Sequence, residues 1–280
     1  MKISLIQIKI AETPEENLKK IKSILIQVKE KGTDMAVLPE MCACPYENRA
    51  FVQYAMKQES YFLKELAQIA KQLEIYLVAG SVPEREGSNI YNTSFVFDFK
   101  GRIIARHRKA HLFDIAIEGG QKFMESDTFV AGDSLTTFYT PWGMFGLIIC
   151  YDIRFPEYVR LLALKGAKVV ITPAAFNMST GPCHWELTFR ARALDNQVFM
   201  VGCAAARDLE ASYHSWGHSI VIDPWGSVLE QLDENEGILT IEIDISKVDK
   251  IRKELPLLLH RRNDLYNIIL GDPGDEHGRY

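Results

Sequence analysis

Four side chains in this sequence have types and settings suited to bond-breaking chemistry. Cys150 ends the apolar run Met144-Phe-Gly-Leu-Ile-Ile149 and is followed at once by Tyr151-Asp152-Ile-Arg154, with Pro156 opening a helix. That change of character puts a thiol at the carboxyl end of a buried strand, where α/β folds place their sites. A free cysteine is more often a small buried hydrophobe, and this reading suffices for Cys42, Cys44, Cys183 and Cys203. A thiol nucleophile needs a base, because an ordinary cysteine, with a pKa of ~8.5, is mostly protonated at neutral pH. Glu40 directly follows the apolar stretch Met35-Ala-Val-Leu-Pro39. A carboxylate partly desolvated there has a raised pKa and becomes a usable general base. Lys109 closes Arg102-Ile-Ile-Ala-Arg-His-Arg-Lys109. Strand parity sets Arg102, Arg106 and Arg108 on one solvated face and Lys109 on the other with Ile103 and Ala105. An ammonium so placed can hold negative charge developing on an oxygen. Glu125, in the polar stretch Phe123-Met-Glu-Ser126, reads on its own as a surface residue.

Other constellations are weaker. His184-Trp-Glu186 has the H-x-E spacing of zinc deaminases, but Pro182-Cys183 precedes it without a second cysteine at the required spacing. Cys42-Ala-Cys44 lacks a matching second pair, so no metal site is expected. A Cys–His pair drawn from the seven histidines stays open at this point. Neither the P-loop nor the dinucleotide-binding glycine pattern is present.

The elements that must position these residues alternate along the chain. Residues 3–8, 35–38, 75–81, 144–149, 168–172 and 198–203 read as buried strands. Residues 15–30, after the Thr13-Pro14 start signal, and residues 60–73 and 183–196 read as amphipathic helices. Two hairpins share the pattern S-x-V-x-D-x-x-G, at Ser94–Gly101 and Ser219–Gly226, with an Asp-to-Gly turn between alternating strands. Tyr76-Leu-Val-Ala precedes the first much as Phe199-Met-Val-Gly precedes the second, and Ala36-Val-Leu-Pro39 matches Val170-Ile-Thr-Pro173. These fragments predict two similar halves whose sheets cover one another, giving a four-layer α-β-β-α sandwich over residues 1–270 as a single domain. Residues 271–280, GDPGDEHGRY, read as a polar tail.

The composition is that of an ordinary globular chain, with 280 residues, 47% hydrophobic and 25% charged. A net charge of −5 gives no basic field of the kind that binds nucleic acid. No run approaches the ~18 apolar residues of a membrane span. The start, MKISLIQIKI, is interrupted by Gln7 and Lys9, and the five cysteines are an odd number. Together these predict reduced thiols and a cytoplasmic protein.

Leu38-Pro-Glu40, His107-Arg-Lys109 and Ile149-Cys150-Tyr151-Asp152-Ile-Arg154-Phe-Pro-Glu157 resemble, in order, the three signature blocks of the nitrilase superfamily, the carbon–nitrogen hydrolases. The likeness runs across residues 2–270. It implies the same sandwich, a homodimer, and no metal or organic cofactor. It further implies that Cys150 attacks an amide carbonyl, that Glu40 takes its proton, that Lys109 and the Tyr151 backbone N–H stabilise the oxyanion, and that Glu125 assists. Within the superfamily, Phe176-Asn-Met-Ser-Thr180-Gly-Pro-Cys-His184-Trp-Glu186 and Ser212-Tyr-His-Ser-Trp216-Gly-His218 resemble the omega-amidase branch. That branch hydrolyses the terminal amide of 2-oxoglutaramate and 2-oxosuccinamate. On this resemblance Arg154, Tyr46, Phe176 and Thr180 are expected around the substrate. Cys183 and Cys42-Ala-Cys44-Pro45 depart from the branch pattern at positions expected to line the pocket. A deaminated-glutathione amidase and a non-catalytic binding protein on the same fold are the alternatives.

Overall fold

The structure, a computed structural model, describes residues 1–116 and 122–271; the tail from 272 onward lies outside them. In the first sheet, β1 (Lys2–Gln7), β2 (Met35–Val37) and β3 (Tyr76–Glu86) run parallel, and β4 (Asn89–Phe97) and β5 (Ile103–Arg108) continue as an antiparallel hairpin. After a small ribbon of β6 (Asp114–Ala116) and β7 (Lys122–Met124), the second sheet is built from β8 (Thr136–Thr140), β9 (Gly143–Leu147), β10 (Val169–Ala174), β11 (Phe199–Ala204), β12 (Ile220–Ile222) and β13 (Val228–Gln231). The last strand, β14 (Gly237–Glu242), returns to the first sheet and pairs antiparallel with β1. The orders β14-β1-β2-β3-β4-β5 and β8-β9-β10-β11-β12-β13 therefore match strand for strand.

The two halves agree down to single bonds. Asp98 and Asp223 are both buried in the hairpin turns. Asp98 Oδ1 accepts from the N–H groups of Lys100 and Arg102, and Asp223 Oδ1 from those of Trp225 and Ser227. Gly101 and Gly226 close the same turn on the aspartate carbonyls. The repeat seen in the sequence is thus a repeat of structure.

Strand alternation assigns the layers. Ile3, Leu5, Met35, Val37 and Val78 face Phe145, Leu147, Val169, Ile171 and Val201 between the sheets. The alternate residues face outward onto helices. On the first sheet Ile6, Ala36 and Leu77 meet α1 (Pro14–Glu30) and α3 (Tyr61–Leu73). On the second, Val170, Met200 and Ile220 meet α4 (Pro156–Leu164) and α5 (Gly181–Asn196). α1 starts where the sequence predicts: Thr13 and Glu16 form a reciprocal capping box, Pro14 takes the first position, and Leu18, Ile21, Leu25 and Val28 are buried. The short α2 (Asn48–Gln53) and the terminal α6 (Ser246–Glu254) complete the set. Among the described residues no helix is long and apolar enough to cross a membrane.

One glycine bears directly on the site. Gly80 has φ +33°, and a Cβ there would lie 1.9 Å from the Pro39 carbonyl oxygen. It sits in a bulge of β3 between Ala79 and Val82, and this bulge receives the turn that carries Glu40. Ser81 Oγ accepts from Met41 N–H, and Ser81 O from Cys42 N–H. Bulges commonly re-aim side chains beside sites in this way.

Candidate active site

Four strand ends, two of them leading into short turns, deliver the four chemical side chains to one buried place. Glu40 follows β2, Lys109 follows β5, Glu125 opens a 3-10 turn (Glu125–Asp127) after β7, and Cys150 opens another (Cys150–Arg154) after β9. Lys109 is fully buried, as parity predicts, and Glu40, Glu125 and Cys150 are buried with it. Glu125 is therefore no surface residue. The polar loop around it folds inward because Phe113 N–H donates to its Oε2 at 2.7 Å and its own N–H reaches Phe113 O. Lys109 Nζ bridges the two carboxylates, 2.9 Å from Glu40 Oε1 and 2.9 Å from Glu125 Oε2. Asn92 Nδ2 donates to Glu40 Oε1 at 2.9 Å, and Tyr46 OH donates to Glu125 Oε1 at 2.6 Å. Among the described residues, Glu40 Oε2 has no polar partner of that kind; its polar neighbour is the Cys150 thiol.

The charges of this cluster follow from burial and count. Burial pulls against the ammonium of Lys109, but Glu125 and Glu40 outweigh it and hold its pKa above the usual lysine value. One cation faces two carboxylates, so the cluster retains room for a proton. Burial, with Glu125 adding to it, raises Glu40 against the opposing pull of Lys109. Burial and the Glu40 carboxylate raise the Cys150 thiol. A raised thiol favours the form with its proton on sulfur, next to the Glu40 carboxyl. Cys150 adopts φ +45°, an uncommon conformation for a residue with a side chain. Its turn is closed by Asp152 N–H on Ile149 O, and Tyr151 N–H is among the first of the turn.

A residue whose role is not evident in the sequence joins the turn to the lysine. Asp152 is fully buried and its two oxygens take four donors. Oδ2 accepts from Ile149 N–H and His107 Nε2 at 3.0 Å each, and Oδ1 from the N–H and Nδ1 of His111 at 2.9 and 2.8 Å. One carboxylate thus pins the chain two residues before and two residues after Lys109 to the segment bearing Cys150. Burial alone would raise its pKa, but the hydrogen bonds from His107 and His111 hold it far below the usual range. A depressed folded-state pKa means stability that is present above the unfolded value of about 3.9 and is lost as pH falls. Asp152→Asn is therefore expected to lower the denaturation midpoint most at neutral pH. The gap from wild type should narrow below about pH 4; a gap independent of pH would contradict the ionised role.

A cavity of about 320 Å³ opens onto Glu40 and Tyr46, with Cys44, Ala175, Tyr213 and Ser215 in its wall. Its outer part is acidic, with Glu12, Asp208 and Glu210. Tyr213 packs against Tyr46 with the rings tilted and their centres 4.5 Å apart, and donates its hydroxyl to Ala175 O. Of the residues expected around the substrate, Tyr46 lines this cavity. Arg154, in the Cys150 turn, lies with its guanidinium 4.7 Å from the centre of the Phe176 ring and 2.9 Å from His184 Nδ1. Thr180 gives its hydroxyl and its N–H to Asn177 Oδ1, at 2.8 and 2.9 Å, which fixes the entry into α5. Cys44 and Pro45 are in the cavity wall. Cys183 is a correction: it is exposed, not a buried hydrophobe, because the first turn of α5 points it outward. The H-x-E pair does not converge, since His184 meets Arg154 and Glu186 pairs with Arg190.

Comparison with known proteins gives the family. The family described as carbon-nitrogen hydrolase matches residues 2–253. Omega-amidase NIT2 of Xenopus tropicalis is 42% identical over 95% of this chain and 97% of its own. The crystal structure of Saccharomyces cerevisiae Nit3, a member of branch 10 of the nitrilase superfamily, superposes with a TM-score of 0.87 at 38% identity, covering 94% of this chain and 96% of that one. A mutant amidase from Nesterenkonia sp. AN1 shows covalent addition of the acetamide moiety of fluoroacetamide at its active site cysteine; it has a TM-score of 0.79 at 25% identity over 95% of each chain. The chain belongs to the carbon–nitrogen hydrolases of the nitrilase superfamily.

Proposed function

We propose that this hydrolase is an omega-amidase, releasing ammonia from the terminal amide of 2-oxoglutaramate or 2-oxosuccinamate and leaving the dicarboxylate. Residues 1–270 form one catalytic domain in this reading, since β14 from the far end of the chain completes the sheet of β1. Glu40 takes the thiol proton and Cys150 Sγ attacks the amide carbon. The oxyanion is held by the Lys109 ammonium and the Tyr151 N–H. Collapse breaks the C–N bond, Glu40 returns its proton to the departing nitrogen, and ammonia leaves a thioester. Glu40 then takes a proton from water, whose oxygen attacks the thioester carbon; the C–S bond breaks, the dicarboxylate leaves, and Glu40 returns the proton to sulfur. Glu125 and Asn92 hold Lys109 and Glu40 at the distances given above. No step calls for a metal or organic cofactor.

The observation that carries the substrate is Arg154. Among the described residues it makes no ion pair: it meets His184 and the faces of Phe176 and Tyr151. It does not brace its loop through Asp152, whose oxygens are taken by other donors, or through Glu157. An uncompensated guanidinium four residues from Cys150 suits a carboxylate at the far end of the amide, which it can grip with two parallel hydrogen bonds. The outer wall of the cavity being acidic, an anionic substrate depends on it. Tyr46 lines the cavity, Phe176 lies against the Arg154 guanidinium, and Thr180 fixes the entry into α5.

Arg154→Lys loses the two-pronged geometry. The expected result is at least a tenfold fall in the ratio of kcat/KM for 2-oxoglutaramate to that for a neutral short amide, read as ammonia release. Equal losses on both would show that the carboxylate is recognised elsewhere. A panel that adds glutamine and deaminated glutathione separates the omega-amidase from its nearest relative, and a chain that releases no ammonia from any of them would be a binding protein.

The protein also functions, in this reading, as a cytoplasmic homodimer. Its five cysteines are all free, as a reducing compartment leaves them. Exposed Leu164 on α4 and Leu187 and Leu194 on α5 give the pair an apolar face to share. Light scattering at micromolar concentration is expected to give twice the chain mass of 31.9 kDa; a monomer would overturn this.

A further inference from the structure

We propose that His184 is a positioning residue for Arg154, aiming the guanidinium at the substrate carboxylate while leaving its charge uncancelled. This rests on the substrate reading above. An arginine side chain has donors only. At 2.9 Å from Arg154 Nη1, His184 Nδ1 must therefore be the acceptor, which makes the imidazole neutral with its proton on Nε2. The usual partner of a fixed arginine is a carboxylate, which orients it and neutralises it together. Here a neutral acceptor does the first without the second.

The surroundings make the arrangement firm. The guanidinium rests on Phe176 at 4.7 Å and is 5.7 Å from the centre of the Tyr151 ring. His184 stands in the first turn of α5, its N–H bonded to Thr180 O, and that turn is tied by Thr180 to Asn177. The carboxylates nearest in sequence are kept away: Asp152 is saturated by His107, His111 and Ile149. Glu186, two residues beyond His184, is drawn to Arg190. The field of Arg154 still reaches Tyr213 in the cavity wall, where it opposes the effects of Cys150, Glu40 and Glu125.

The test uses three substitutions and two substrates, 2-oxoglutaramate and a neutral short amide such as propionamide, with kcat and KM measured separately. His184→Ala removes the acceptor and is expected to raise KM for 2-oxoglutaramate about tenfold with a much smaller change in kcat. His184→Gln offers an amide oxygen to Arg154 and should restore most of the loss. His184→Glu offers an acceptor of ideal reach but pairs the charge, and should lower the charged-to-neutral kcat/KM ratio more than alanine does. A glutamate variant that matches the glutamine variant on 2-oxoglutaramate would overturn the idea that charge must stay uncancelled. Equal losses on both substrates would reduce His184 to a structural part of α5. The substrate reading fails separately, in the wild type, if the neutral amide has a higher kcat/KM than 2-oxoglutaramate; His184 then has no carboxylate to serve.

Discussion

Cys150→Ala is expected to release no measurable ammonia from any amide while melting within a few degrees of the wild type. Among the described residues the Cys150 sulfur is the thiol hydrogen-bonded to Glu40, and without it no acyl-enzyme forms. The fold should tolerate the change, because the thiol is small and the turn around it is held by Asp152 through Ile149, His107 and His111. Cys150→Ser is expected to be nearly as inactive. Burial with a carboxylate beside it already raises the thiol, and a hydroxyl is far harder to ionise in the same place. Retention of more than about a hundredth of the wild-type rate in Cys150→Ala would end the covalent mechanism.

Lys109→Ala should cost on the order of 3 kcal/mol or more in transition-state stabilisation, the size of effect seen on losing an oxyanion donor, and so lower kcat/KM by at least about a hundredfold. The structure adds a second consequence. Lys109 is the cation between Glu40 and Glu125, and both carboxylates are fully buried. Removing it leaves two like charges close together in a dry site and takes away the pull that lowers Glu40, so Glu40 is raised further and takes up a proton. The acidic limb of the pH–rate profile should then move to higher pH in whatever activity remains, since the base must be ionised to act. Lys109→Met, which keeps most of the volume, separates lost charge from lost packing and should be about as slow. An unchanged kcat, or an unmoved acidic limb, would remove Lys109 from the chemistry.

How much of this was legible beforehand depends on the range of the interaction concerned. Strand and helix positions are local matters of period and capping, so Thr13 and Pro14 announce α1, and the apolar runs before Glu40 and Cys150 announce β2 and β9. The repeated Asp-to-Gly turns announce matching halves, because a buried aspartate accepting two backbone N–H groups is a device contained in a few residues. Parity placed Lys109 inward, and parity is also local. What the sequence left open needed contacts between distant segments. The inward turn of Glu125 depends on Phe113 across the β6–β7 ribbon. Asn92 reaches Glu40 because the β4–β5 register shifts between Val96 and Phe97; extrapolated from the turn without that bulge, Tyr91 would stand opposite Lys109. Asp152 sits two residues from Cys150, yet its role appears only when β5 arrives with His107 and the following turn with His111. Pairing of Arg154 with His184 joins residues thirty apart. A chain's own spacing specifies which residues can do chemistry, while sheet register and the packing of one half on the other decide their distances, their burial and hence their charges.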